Sequence, residues 1–102
     1  MQEITATELK KRLDAGEDIQ IIDVRQPDEH AFAKIPGSKL IPLGEVLNRM
    51  NEIDENRETV VHCKMGGRSA KAVRLLQEAG FGNIEIVTMN APRDLILART
   101  PN

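Results

Sequence analysis

A single cysteine, Cys63, closes an apolar run and opens a glycine-bearing loop that leads straight into a helical pattern, Thr59-Val60-Val61-His62-Cys63-Lys64-Met65-Gly66-Gly67-Arg68-Ser69-Ala70. Strand, short loop and helix N-terminus in that order make an anion cradle, because loop and first-turn N–H groups lack internal partners and converge on one spot. The helix macrodipole adds about half a positive charge at that end. A thiol held there is expected to be substantially thiolate at neutral pH, which makes Cys63 a candidate nucleophile. The plainer reading is a buried, inert thiol in an ordinary strand–helix turn. Two glycines and an arginine facing a thiol exceed what such a turn needs. Gly66 and Gly67 allow positive φ angles and remove Cβ atoms, so the backbone can curl around a ligand. Lys64 and Arg68 can stabilise anions near the sulfur, although Lys64 fits a solvated loop residue equally well. Arg68 is expected to open the helix with its guanidinium near the loop mouth, while Ser69 caps the backbone.

A second constellation is Asp23-Val24-Arg25 with Glu29. Asp23 ends an apolar run, so its carboxylate is placed to accept N–H groups from a neighbouring loop. Arg25 and Glu29 are four apart, a spacing that permits an ion pair on a helical turn. These residues are read as bracing the site rather than making bonds. His62 adjoins Cys63, but adjacent strand residues face opposite sides, so it is not expected to be the general base of a Cys–His pair. His30 sits in a polar turn and is expected to be solvated. Neither histidine has structural-zinc spacing, and no metal site is expected.

The elements that must position these residues can be read along the chain. Thr5 and Glu8 fit a capping box, with Ile4 and Leu9 in the staple positions and Gly16 as the stop. Ile19–Val24 is a short buried strand pattern. Pro27 begins a turn, and Asp28–Ala33 is expected to be a short helix. Leu40 and Ile41 suggest a brief strand stopped by Pro42. Val46, Leu47, Met50 and Ile53 repeat at helical spacing through Gly44–Ile53. Thr59–Cys63 is the next strand, Ser69–Ala79 a helix ended by Gly80, and Ile84–Val87 a last strand. Helices alternating with short apolar strands argue for an α/β fold with an open parallel sheet. In such sheets ligands sit beyond the carboxyl ends of the strands, where Cys63 falls.

The composition narrows the partners. The 102 residues are read as one domain, with 14 Lys and Arg against 16 Asp and Glu and a net charge of −2. Two Phe and no Tyr or Trp leave few stacking platforms, so nucleic acid is not expected. Lys10, Lys11 and Arg12 form the one basic run and read as a solvated helix face. One cysteine excludes an internal disulfide and suits a reducing compartment. No apolar stretch approaches the roughly 20 residues of a membrane span, and the first residues lack a signal-peptide pattern. A cytoplasmic protein is expected. A group loaded on Cys63 must leave to an outside acceptor, since no second thiol can resolve it.

The Cys63 loop, together with Ile22-Asp23-Val24-Arg25-Gln26-Pro27-Asp28-Glu29 and Ile35-Pro36-Gly37-Ser38, resembles the rhodanese-like sulfurtransferase family over about residues 4 to 87. More narrowly it is similar to the rhodanese module of adenylyltransferases that prepare sulfur for molybdopterin or thiamin synthesis. The resemblance implies a parallel sheet of about five strands flanked by helices. It maps the catalytic cysteine onto Cys63 and the persulfide-cradling loop onto Lys64, Met65, Gly66, Gly67 and Arg68. Asp23 and Arg25 fall on the structural motif beside that loop. The implied activity moves a sulfane sulfur from thiosulfate or a similar donor, through a Cys63 persulfide, to cyanide, a thiol or a sulfur-carrier protein. It needs no metal or organic cofactor. The sequence departs from the family pattern at Ala33-Lys34, where Gly-His is usual. It departs again after the last strand, where Thr88-Met89-Asn90-Ala91-Pro92 replaces a Gly-Gly pair and a later Trp. Residues 88–102 are therefore atypical, including the expected final helix, Pro92–Arg99.

Two other functions compete. A related fold hydrolyses phosphate esters with Cys and Arg separated by five residues, whereas four lie between Cys63 and Arg68. The shorter loop suits sulfur better than a phosphoryl group. The other is a non-catalytic rhodanese-like binding module, which the altered C-terminal segment favours and the retained cysteine loop does not.

Overall fold

The computed structural model describes residues 2–63 and 67–88. Five strands, β1 (Glu3–Thr5), β2 (Ile19–Asp23), β3 (Lys39–Leu40), β4 (Glu58–His62) and β5 (Ile84–Thr88), form one sheet in the order β1-β5-β4-β2-β3. Every described pairing is parallel. Among the described residues three α-helices, α1 (Ala6–Asp14), α2 (Pro27–Phe32) and α3 (Gly67–Glu78), connect the strands.

Alternation along the strands divides the core in two. Ile4, Leu9, Ile19, Ile21, Val60 and Val87 pack on the face that α1 covers. Ile22, Val61, Cys63, Val73, Leu76 and Ile84 pack on the other, under α3. Cys63 and its neighbour His62 accordingly follow opposite faces of β4. Local signals set most boundaries. Thr5 Oγ1 accepts the Glu8 N–H at 3.0 Å and starts α1, and Gly16 and Gly80, at φ +82° and +106°, follow α1 and α3.

Two expectations are corrected, and one strand carried no expectation. Gly44–Ile53 is not an α-helix but two short 3₁₀ turns, Leu43–Glu45 and Met50–Glu52. Val46 and Ile53 are buried, yet Leu47 is 60% exposed. Gly44, Asn48 and Asn51 weaken the helix there, and Asn side chains compete for the backbone. Strand β1 had no signature, since only Ile4 of its three residues is buried and its pairing with β5 is distant in sequence. Arg12 does not lie on a solvated face. It pairs with Glu17 at 2.8 Å and bidentately with Glu58 of β4, pinning α1 to the sheet.

Among the described residues no helix is long and apolar enough to cross a membrane, and no group of three or more His, Cys, Asp and Glu could hold a metal ion. The expected final helix, Pro92–Arg99, lies outside the described residues.

Candidate functional site

Strand β4 ends at His62, and Cys63 follows it at the carboxyl edge of the sheet, buried to 2% exposure. The chain returns as α3, whose first turn meets the sulfur. The Ser69 N–H donates to Cys63 Sγ at 3.2 Å. The thiol donates to Ser69 Oγ at 3.3 Å. A first-turn N–H is one of the donors a helix cannot satisfy internally, so directing it at sulfur costs the helix nothing. An anionic sulfur there gains both that donor and the positive end of α3. Ser69 is therefore not the helix cap the sequence suggested. It is the third residue of α3, fully buried, and its N–H and hydroxyl serve the sulfur.

Gly67 begins α3 without a positive φ angle, and a Cβ built there would meet nothing within 4 Å. The positive φ that glycine allows is not used at Gly67. Lys64, Met65 and Gly66 of the candidate loop lie outside the described residues.

Arg68 occupies the second position of α3 and donates from both terminal nitrogens to Glu29 of α2, at 2.7 and 3.1 Å. The expected Arg25–Glu29 pair is replaced by this one. Glu29 is held further by the Gln26 N–H at 2.9 Å, in the capping box that starts α2. These bonds, Arg68 foremost, bring the Glu29 carboxyl down to about 2. Arg68 is raised in turn, mainly by Glu29, with smaller contributions that include the nearby Cys63.

Arg25 turns instead to Asp23. The carboxylate accepts the Arg25 N–H at 3.0 Å, Nε at 2.9 Å and a terminal nitrogen at 2.8 Å. Arg25 also donates to the Ala33 carbonyl at 2.7 Å, which fixes the end of α2. Asp23 thus braces the turn that follows β2 through its own second neighbour rather than a separate loop. His30, expected to be solvated, places Nδ1 2.8 Å from Asp23 Oδ2 and is half-buried. Burial alone pushes the Asp23 carboxyl up, but hydrogen bonds from Arg25 and His30 bring it below its ordinary value. His62 Nδ1 lies 3.7 Å from Asp23 Oδ1, buried and without a hydrogen-bond partner. Burial lowers His62 to about 4, which leaves it neutral at neutral pH.

Helix α2 joins the two clusters. Glu29 reaches α3 beside the sulfur, while the adjacent His30 reaches β2. Sequence reasoning missed both contacts because Arg68 lies 39 residues from Glu29, and His30, seven residues from Asp23, meets it only through the fold of the turn between β2 and α2. The Gln26-Pro27-Asp28-Glu29 capping pattern was the one local sign that Glu29 has a fixed orientation.

Comparison with known proteins gives the same frame. The chain is 42% identical over 82 residues to the putative sulfur carrier protein YrkF of Bacillus subtilis, matching 80% of this chain but spanning only 44% of that protein's length. It is 34% identical over 84 residues to a protein of Allochromatium vinosum named sulfurtransferase, covering 82% of this chain and 78% of that one. The crystal structure of SSP1007 from Staphylococcus saprophyticus superposes with a TM-score of 0.79 at 37% identity, covering 85% and 86% of the two chains. Residues 5–89, from the N-cap of α1 to just past β5 and with Cys63 between, match the rhodanese-like domain family, to which this chain belongs.

Proposed function

We propose that this domain is a rhodanese-type sulfurtransferase in which Cys63 carries the sulfur. The observation that supports it best is the buried Cys63 sulfur at the carboxyl end of β4, with the Ser69 N–H and hydroxyl of α3 directed at it. The names of the two relatives, sulfur carrier and sulfurtransferase, point the same way.

In the first half-reaction the Cys63 thiolate attacks the outer sulfur of thiosulfate or a similar donor. A bond forms between Cys63 Sγ and that sulfur, the donor's S–S bond breaks, and its electron pair leaves with sulfite. The Cys63 persulfide anion that results carries its charge into the first turn of α3, where N–H donors and the helix dipole stabilise it. By the family resemblance we assign Lys64, Met65, Gly66, Gly67 and Arg68 to the cradle, and Asp23, Arg25, Glu29 and Ser69 to its support. In the second half-reaction a nucleophile takes the outer sulfur and regenerates the thiolate. Cyanide, a thiol or a sulfur-carrier protein fits this role. The cycle uses no metal and no organic cofactor. With a single cysteine the chemistry suits the reducing cytoplasm, where we place the protein.

Mass spectrometry after incubation with thiosulfate tests the reading. One sulfur, about 32 Da, should add to the protein, and cyanide should remove it as thiocyanate over repeated turnovers. Cys63→Ser should abolish both. Loading without turnover would make the domain a carrier, and full activity in Cys63→Ser would refute the assignment.

A further inference from the structure

The Arg68–Glu29 pair bears on which donor the site takes. The sequence suggests that Arg68 lends positive charge to the mouth of the Cys63 site. Its two terminal nitrogens instead both face the Glu29 carboxylate, at 2.7 and 3.1 Å. Glu29 is fixed from its other side by the Gln26 N–H at 2.9 Å, so the carboxylate is not a chance surface neighbour. Arg68 and Glu29 are both half-buried, and a fork-to-carboxylate pair of this geometry presents little net charge to an approaching anion.

We infer that Glu29 is a specificity-determining residue: by neutralising Arg68 it tunes the Cys63 site toward sulfane donors of low negative charge and away from the thiosulfate dianion. This rests on the sulfur-transfer reading above and names the donor class for it. Two donors isolate the effect. Methanethiosulfonate resembles thiosulfate with a methyl group in place of one charged oxygen. The Cys63 thiolate attacks its outer sulfur, the new S–S bond forms, and the old one breaks with its electron pair leaving on methanesulfinate. The attack is the same as with thiosulfate, and the donor carries one charge fewer. Lys64 is common to all the variants below and drops out of the comparison.

The measurement is kcat/KM for thiosulfate divided by kcat/KM for methanethiosulfonate, with cyanide as acceptor. Glu29→Gln keeps an acceptor for the Gln26 N–H but removes the charge, and should raise this ratio about three- to five-fold, chiefly through KM for thiosulfate. Glu29→Met, uncharged and close in volume, is the second variant and should move the ratio the same way. Arg68→Ala leaves the carboxylate unpaired and should lower the ratio by a similar factor. The double variant Glu29→Gln/Arg68→Ala replaces a neutral pair by a neutral pair and should return the ratio to near wild type. An unchanged ratio in both Glu29 variants overturns the inference, and so does a double variant that behaves like Arg68→Ala, which would make Arg68 a direct ligand of the anion. If the wild type gains sulfur from neither donor, the sulfur-transfer reading itself fails.

Discussion

The Ser69 N–H points at Cys63 Sγ from 3.2 Å, five residues intervening in the chain, and the Ser69 hydroxyl lies 3.3 Å from the same sulfur. The thiol donates to that hydroxyl, and once the sulfur is an anion the same hydroxyl can turn and donate back, so a thiolate meets two donors from one residue. Because Arg68 is engaged by Glu29, stabilisation of a sulfur anion falls mainly on this residue and on the dipole of α3.

Ser69→Ala removes the hydroxyl and keeps the N–H. Losing one hydrogen bond to a charged sulfur should slow alkylation of Cys63 by iodoacetamide at neutral pH about ten-fold, on the basis of roughly 1.5 kcal/mol for such a bond. Sulfur loading from any donor should slow by a similar factor. Arg68→Ala should change the alkylation rate less than Ser69→Ala does. The reverse order would return the leading electrostatic role to the arginine.

What could be read from the chain follows the range of each interaction. Thr5, the apolar run before Asp23 and the alternation before Cys63 act on their own neighbours, so α1, β2 and β4 could be placed within a residue or two. The Cys63–Ser69 contact spans only six positions, within reach of a local reading of the sequence. The segment after Pro42 misled because Val46 and Ile53 are buried by the sheet and α3, not by a helix of their own. Glu29–Arg68 and His30–Asp23 depend on where α2 lands, which the whole β2–α2–β3 path decides. No pairwise spacing carries that information. The Arg25–Glu29 expectation failed for the same reason, since Asp23, two residues away, fits the Arg25 fork better.

Asp23 is the most heavily bonded carboxylate beneath the site, fully buried, with three donors from Arg25 and one contact to His30. Asp23→Asn would leave the Arg25 guanidinium, only 10% exposed, without its counter-charge. We expect a loss of about 3 kcal/mol in stability, measured by urea unfolding at neutral pH. The pH dependence has a definite sign. The folded carboxyl lies below its ordinary value of 3.8, so its stabilisation is complete above 3.8 and disappears as pH falls through the lower folded value. Asp23→Asn should therefore lose Asp23's share of the fall in stability below about pH 4, leaving the share of other lowered carboxyls such as Glu29 in place. A variant as stable as wild type at neutral pH would show that the carboxylate is dispensable to the turn.

His62 should act in a higher pH window. Its side chain is buried against Asp23 with Nδ1 unpartnered, and burial lowers its pKa from 6.5 to about 4. Between those values the unfolded chain binds a proton that the folded protein refuses. Stability contributed by neutral His62 is therefore complete above 6.5 and is lost as pH falls toward 4. From pH 7 to pH 5 the loss should be about 2 kcal/mol. His62→Gln, uncharged throughout, should remove that difference when urea midpoints of wild type and variant are compared across the range. The Cys63 alkylation rate supplies an independent readout, because His62 projects from the opposite face of β4. If His62 does not act as a base toward Cys63, the substitution should leave the pH profile of alkylation in place while flattening the stability profile. A shifted alkylation profile would mean that the two side chains communicate through the strand, and would bring His62 into the site.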